Sequence, residues 1–343
     1  MNKEIRVQNK VISNDSLFII AEVGNQFAGS LEKAKALCEA AKKAGTDAVK
    51  FIFWFPDEIY ADNPEYTYET TLGKKTEPIR DLLNRLRLTL TEWYEVQLVC
   101  DKLGIIMLST INSASGFDWV IELGLPAFKL SSWDWDYTDL WRWCAKTGLP
   151  IIADMGPIAP TELERNLAIF NEYQNRDLVL LHCFHTQNIG QVNMKTISYL
   201  RSHCLTGYSS AGRENTTDII SLALGGCVLE KRLTLNRSDG ILHDAVSLEP
   251  DEFAEYVKTM RTVKVMLGKG LLTPSSEDVA MRKKYFRRIV ASEDIVQGMP
   301  ILRTQLNAVR GETGISPEYM DDFVGKTAKR NIRRNEDVDY SII

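Results

Sequence analysis

The sequence predicts an α/β fold, a (β/α)8 TIM barrel with a small β-rich module at its C-terminus. Three observations predict it. Eight short runs rich in β-branched and apolar residues recur along the first part of the 343-residue chain. Segments with helical spacing separate them. Beyond about residue 270 the pattern gives way to a linker and shorter strand-like pieces. Eight strands alternating with helices over about 250 residues is the arithmetic of a TIM barrel. A doubly wound open sheet is the competing reading. It usually carries a glycine-rich phosphate turn after its first strand, and AEVGNQFAGS does not have the form GxGxxG.

The strands are expected at residues 17–22, 48–52, 105–109, 127–130, 150–154, 178–182, 204–208 and 227–230. Most are continuous apolar runs, the mark of strands covered on both faces. After the first, Ser30 is suited to cap a helix. Leu31, Ala34, Leu37, Cys38 and Ala41 follow at helical spacing, and Gly45 stands at the C′ position. Phe253, Val257, Met260 and Leu267 mark another apolar stripe, closed by Gly268. Residues 54–88 form a long insert containing Tyr66, Tyr68, Lys74 and Lys75. Long loops after barrel strands usually build a pocket or a lid. The expected organisation is a barrel over 1–270, a linker and basic helix over 271–288, and a β-rich module over 289–343.

Composition narrows the function classes. A net charge of −5 argues against nucleic acid as the main partner, because neutralising phosphates takes a basic surface. The six cysteines form no CxxC pair and mostly sit in apolar runs, which reads as buried thiols in a reducing compartment. The polar N-terminus shows no signal peptide, and no stretch approaches the roughly 18 apolar residues of a membrane span. A cytoplasmic protein is expected.

In a barrel, polar residues at the C-terminal strand ends face the reaction site. That rule selects Glu22, Lys50, Ser109, Thr110, Lys129, Ser131, Ser132, Asp134, Asp154, His182, His185, Tyr208, Ser209, Ser210, Glu230, Lys231 and Arg232. A buried lysine is costly without an anion. Lys50 and Lys129, with Arg232 and several hydroxyls, suit a ligand carrying phosphate or carboxylate. The alternatives are ion pairs inside the barrel, with Glu22 or Glu230 as partners, and a Schiff-base lysine. Trp133, Trp135, Trp141 and Trp143 read as packing.

The motifs FIIAEVGNQFAGSLEKAKALCEAAKKAGTDAVKF, PAFKLSSWD, LPIIADMGP, LLHCFHT, GYSS, LEKRLTLN and VSLEPDEF resemble, in order, those of the sialic acid synthase family. This is the family of N-acetylneuraminate synthase and spore coat polysaccharide protein E. The tail RRIVASEDIVQG, VRGETGISP and VGKTAKRNI resembles its C-terminal antifreeze-like (SAF) domain. The resemblance implies condensation of phosphoenolpyruvate with an N-acylated amino sugar, releasing phosphate and making a nonulosonic acid for surface polysaccharide. It implies a divalent metal, manganese or magnesium, on the sugar aldehyde, and a domain-swapped homodimer. By the same resemblance Glu22 lies near the reacting carbons, and Lys50, Lys129 and Ser132 hold phosphoenolpyruvate. Asp134 faces the sugar. Phe286 and Arg310 close over the neighbouring barrel, the arginine meeting the N-acyl group.

The departures fall on the metal side. The family's two metal histidines stand where this chain has Ala211 and Arg232. Its Gly-Pro-Asp-His loop reads Ile241-Leu242-His243-Asp244, and His185 and Gln187 replace Asn and Tyr after strand six. Two readings follow: a relocated metal site from His185, His243 and Asp244 with Asp154 or Glu22, or Arg232 in the metal's place. The function expected is a synthase with an altered or absent metal site. The alternative is a non-catalytic homologue that binds a sugar acid.

Overall fold

Alternation along each strand decides what the barrel holds. Strands one to eight are Phe18–Gly24, Ala48–Ile52, Ile106–Ile111, Phe128–Leu130, Ile151–Met155, Leu178–His182, Leu205–Ser209 and Val228–Arg232. They pair in parallel in sequence order, and strand eight closes on strand one. The structure, a computed structural model, describes every residue except Gln187 and Ala211. The expected barrel is therefore the observed fold, each strand within a residue or two of its expected place.

Phe18, Ile20, Ala48, Ile106, Leu108, Ile152, Val179, Leu181, Leu205 and Val228 face inward and fill the lower barrel. Ile5, Val7 and Ile12, from the hairpin Glu4–Val7 with Lys10–Ser13, join that cluster and close the N-terminal end. The intervening residues, such as Ile19, Ala21, Val23, Phe51 and Leu130, pack outward on the helices. Those helices form where capping and spacing permit. In Leu31–Ala44, Ser30 accepts from the Lys33 amide, and Gly45 ends the helix at φ 86°. Only glycine adopts that backbone without strain.

The insert after strand two folds as a hairpin, Glu65–Thr70 with Gly73–Pro78, flanked by the helices Pro56–Ile59 and Ile79–Arg85. Thr71, at its tip, donates to Asp244 and to the Arg237 carbonyl, and Lys75 Nζ donates to the Gly240 carbonyl at 2.6 Å. The insert is thus tied to the loop after strand eight.

The chain divides into two compact units, Met1–Gly268 and Lys269–Ile343. The second begins with the helix Ser276–Tyr285, none of whose side chains is buried. An antiparallel pair follows, Arg287–Ala291 with Leu306–Arg310. Its own core gathers Ile289, Ile295, Ile301, Leu306, Phe323 and Val338.

Candidate active site

The inward alternation that stacks apolar side chains in the lower barrel ends in a layer of charge. Glu22, Lys50, Thr110, Lys129, Asp154, Ser209, Glu230 and Arg232 occupy the inward positions at the strand ends. Lys50 Nζ is ion-paired with Glu22 Oε2, lies 3.7 Å from Glu230 Oε1 and donates to Thr110 Oγ1 at 2.6 Å. Lys129 Nζ lies 2.7 Å from Asp154 Oδ2 and 3.7 Å from Glu230 Oε2. Ser209 Oγ donates to Glu230 Oε1 at 3.2 Å. Arg232 Nη1 stands 4.0 Å from Glu22 Oε1. Three cations thus face three carboxylates, and the lysines are paired inside the barrel.

Burial drives the titrations. It pushes the Glu22 carboxyl up, against the pull of Lys50, with Glu230 adding repulsion. It raises Asp154 likewise, against Lys129. Glu230 goes the other way. Burial raises it, but Lys129, Lys50 and Arg232 together outweigh burial and hold it below the usual carboxylate range. Burial alone lowers Lys129, yet Asp154 and Glu230 more than offset this and raise it. A lysine held charged is a poor Schiff-base nucleophile. Each proton taken up by Glu22 or Asp154 leaves a cation in excess, and the layer then favours an anion.

The rim beside strands four to six is polar and aromatic. Ser132 Oγ shares a hydrogen bond of 2.9 Å with His185 Nε2. Gly156 permits this approach, since a Cβ there would lie 2.7 Å from Ser132 Cβ. Ser131 Oγ accepts from the Trp133 amide at 3.2 Å. Burial, then Asp136, pushes the Asp134 carboxyl up to about 7. Trp135 and Trp141 are core residues as expected, but Trp133 is 66% exposed and stacks on His185, a correction to its reading as packing.

Across the mouth, Arg232 Nη1 donates to His243 Nδ1 at 3.3 Å. An arginine has only donors, so that nitrogen accepts and the ring carries its proton on Nε2. Burial, then Arg232, holds His243 well below its ordinary value, hence neutral at pH 7. Its backbone has φ 74°, an unusual conformation for a non-glycine residue. Asp244 anchors the loop. Its oxygens accept from the Thr71 amide at 3.1 Å, Thr71 Oγ1 at 3.0 Å and the Ile241 amide at 2.8 Å.

Residues 37–271 match the NeuB family, and residues 286–339 match the SAF domain. The chain belongs to the NeuB family. It is 30% identical to an uncharacterised protein of Methanocaldococcus jannaschii, over 98% of each chain. It is 28% identical to the N,N'-diacetyllegionaminic acid synthase of Legionella pneumophila, over 93% of this chain and 92% of that one. Among solved structures, the N-acetylneuraminic acid synthetase of Leptospira borgpetersenii, in complex with citrate, superposes with a TM-score of 0.73. The two share 25% identity over 82% of this chain and 97% of that chain.

The donor set of this NeuB-family barrel does not fit a divalent cation. Asp244 is turned to Thr71, His185 to Ser132, and His243 to Arg232. Among the described residues no three His, Cys, Asp or Glu side chains converge as ligands. A guanidinium at the strand-eight end repels a cation placed beside it. The relocated site expected from His185, His243 and Asp244 is therefore not assembled, because Asp244 is spent on the hairpin tip. Ala211 and Gln187 lie outside the described residues.

Three further expectations are corrected by the pleat, which sends only every second residue into the barrel. Ser109 pairs in register with Phe51, an outward residue packed on Trp93, so Ser109 faces the helices. Tyr208 belongs to the outer core. Lys231 points out between helices. It lies 3.0 Å from Asp218, whose other oxygen accepts from Tyr256 at 2.8 Å. Among the described residues the His182 ring meets no lumen group; its Nε2 meets the Val192 carbonyl at 2.8 Å. Phe286 and Arg310 lie in the second unit: Phe286 ends the helix just before the first strand, with the Arg282 guanidinium 4.5 Å from its ring, and Arg310 ends the second strand, paired with Arg287.

One residue passed over in the sequence is Gly24. It has φ 40°, and a Cβ there would lie 2.3 Å from Glu22 Oε1. The strand-one register shifts at that point. Gly24→Ala is expected to displace the Glu22 carboxylate and lower the unfolding free energy by about 1–3 kcal/mol, as overpacking does. Chemical denaturation checks this, and an unchanged midpoint would contradict the close approach.

Proposed function

We propose that this NeuB-family chain joins phosphoenolpyruvate to the aldehyde of an N-acylamino sugar, releasing phosphate and making a nonulosonic acid. The observation that carries the reading is the buried layer in which Lys50 and Lys129 alternate with Glu22, Asp154 and Glu230 at the strand ends. It joins cations for a phosphorylated carboxylate to carboxyls able to take a proton. The family's named synthases support the same reading. No step is assigned to a resident metal, because the donor set does not fit one.

In this reading C3 of phosphoenolpyruvate bonds to the aldehyde carbon while the aldehyde oxygen gains a proton. Water adds at C2, the C2–O bond to phosphate breaks, and a ketone and inorganic phosphate result. Lys50 and Lys129 neutralise the phosphoenolpyruvate anion. Arg232 polarises the aldehyde oxygen, held by neutral His243 on one side. Glu22, its carboxyl raised by burial, takes the proton of the adding water. Ser132 joins the two lysines on the phosphoenolpyruvate side, and His185, hydrogen-bonded to it, stands towards the acceptor. Phe286 and Arg310 serve as a cover supplied by a second copy of the chain.

Phosphate release tests this, with phosphoenolpyruvate and a panel of N-acylamino sugars, with and without a chelator. Turnover that survives the chelator is expected. Activity lost with the chelator and restored by manganese would overturn the role of Arg232. Phosphoenolpyruvate binding with no turnover on any sugar would instead favour a binding homologue.

A further inference from the structure

We infer that Trp133, backed by His185, is the platform on which the C–H face of the acceptor sugar lies. The inference rests on the synthase reading and names a specificity residue for it. The indole is 66% exposed, whereas Trp135, two residues on, is 3% exposed. One face of the indole is covered by the His185 ring, with centroids 4.3 Å apart and planes 30° apart. The other face is open.

The loop that presents it is held rigidly. Trp135 Nε1 donates to the Asp154 carbonyl at 2.6 Å, and Trp141 Nε1 donates to the Asp134 carbonyl at 3.0 Å. The Trp135 carbonyl accepts from Arg165 at 2.7 Å and from Asn166 at 3.0 Å. An exposed aromatic ring on a fixed loop loses little entropy when a ligand lies against it.

The polar groups nearby ask for donors rather than for a second anion. Among the described residues Asp154 Oδ1 and Glu230 Oε2 are buried without a hydrogen-bond donor. Phosphoenolpyruvate carries only acceptors at pH 7 and cannot satisfy them. A sugar carries hydroxyl and amide donors at its edges and an apolar C–H face, and an aromatic platform beside spare carboxylate oxygens matches both. The His185–Trp133 stack sits at the rim between strands four and six, where Gly156, two residues past Asp154, lies against Ser132 and His185.

Calorimetry tests the platform with N-acetylmannosamine, N-acetylglucosamine and N-acetylgalactosamine in the presence of phosphoenolpyruvate. Whichever of these the wild-type protein binds, Trp133→Ala is expected to weaken by about five- to tenfold, the scale of an aromatic contact. Trp133→Phe keeps most of the affinity. Phosphoenolpyruvate affinity and the melting temperature stay unchanged, because the indole is largely exposed. Wild-type affinity in Trp133→Ala would overturn the platform, as would an equal loss of phosphoenolpyruvate affinity or no binding of any of the three by the wild type. If Trp133→Ala loses sugar binding but the wild type never turns over, the synthase reading fails and the platform stands. If turnover persists with unchanged sugar affinity, the platform fails and the synthase reading stands.

Discussion

Replacing Lys129 by alanine is expected to abolish turnover and to lower the unfolding free energy by about 3–5 kcal/mol, the cost of breaking a buried ion pair from one side. The side chain is fully buried, 2.7 Å from Asp154 and 3.7 Å from Glu230. Without it, buried Asp154 loses its nearest counter-charge and Glu230 loses one of two. The sign with pH follows. Lys129 is raised in the fold, so its contribution is complete at neutral pH and is lost only as pH rises through its folded value. In the variant the burden moves to Asp154, whose folded carboxyl is already raised. A group raised in the fold stabilises below its unfolded value and loses that as pH rises. The deficit of Lys129→Ala should therefore be largest at neutral pH and shrink as falling pH protonates Asp154. Denaturation curves at pH 7.5 and pH 5 measure this. An equal deficit at both would mean that the variant left a cavity rather than unpaired charge.

Glu22→Gln separates chemistry from binding. The amide keeps the shape of the side chain and leaves Lys50 near Glu230. It removes a proton carrier and a negative charge. A drop in kcat of about 10²–10⁴ is expected, the usual worth of general acid–base catalysis. Phosphoenolpyruvate affinity should hold or tighten, because one fewer carboxylate faces the anion. The limb of the wild-type pH profile above the usual carboxylate range should vanish, since burial raises Glu22 there. Steady-state rates with calorimetric phosphoenolpyruvate affinities read both quantities. A variant that keeps kcat but loses phosphoenolpyruvate would make Glu22 a binding residue only.

The barrel was legible because continuous apolar runs and capped helices are local signals. Phe18 to Ala21 reads as a strand covered on both faces, and Ser30 and Gly45 bracket the next helix. The lumen layer was legible from the polar ends of those runs, but the sequence did not reveal which of two neighbours faces inward. Glu230 and Arg232 point into the barrel, and Lys231 between them points out to Asp218. An apolar run buried on both faces carries no alternation from which to read its phase. The pairing of Lys50 and Lys129 with carboxylates was an open alternative, decided by side chains from different strands. Asp244 was out of reach for another reason. Its partner Thr71 lies in a hairpin 173 residues away, and nothing local announces that contact. Trp133 and Trp135 stand two residues apart and have opposite fates, settled by where the loop turns.

The proposed reaction of this barrel is a carbon–carbon bond between phosphoenolpyruvate and an N-acylamino sugar. Mass spectrometry of the reaction mixture, with the protein kept in chelator, tests it most directly. One product is expected that contains the sugar plus the three carbons of pyruvate, formed in step with phosphate and absent in Glu22→Gln. Phosphate released with no such adduct, or phosphoenolpyruvate bound and left intact across the sugar panel, would contradict it.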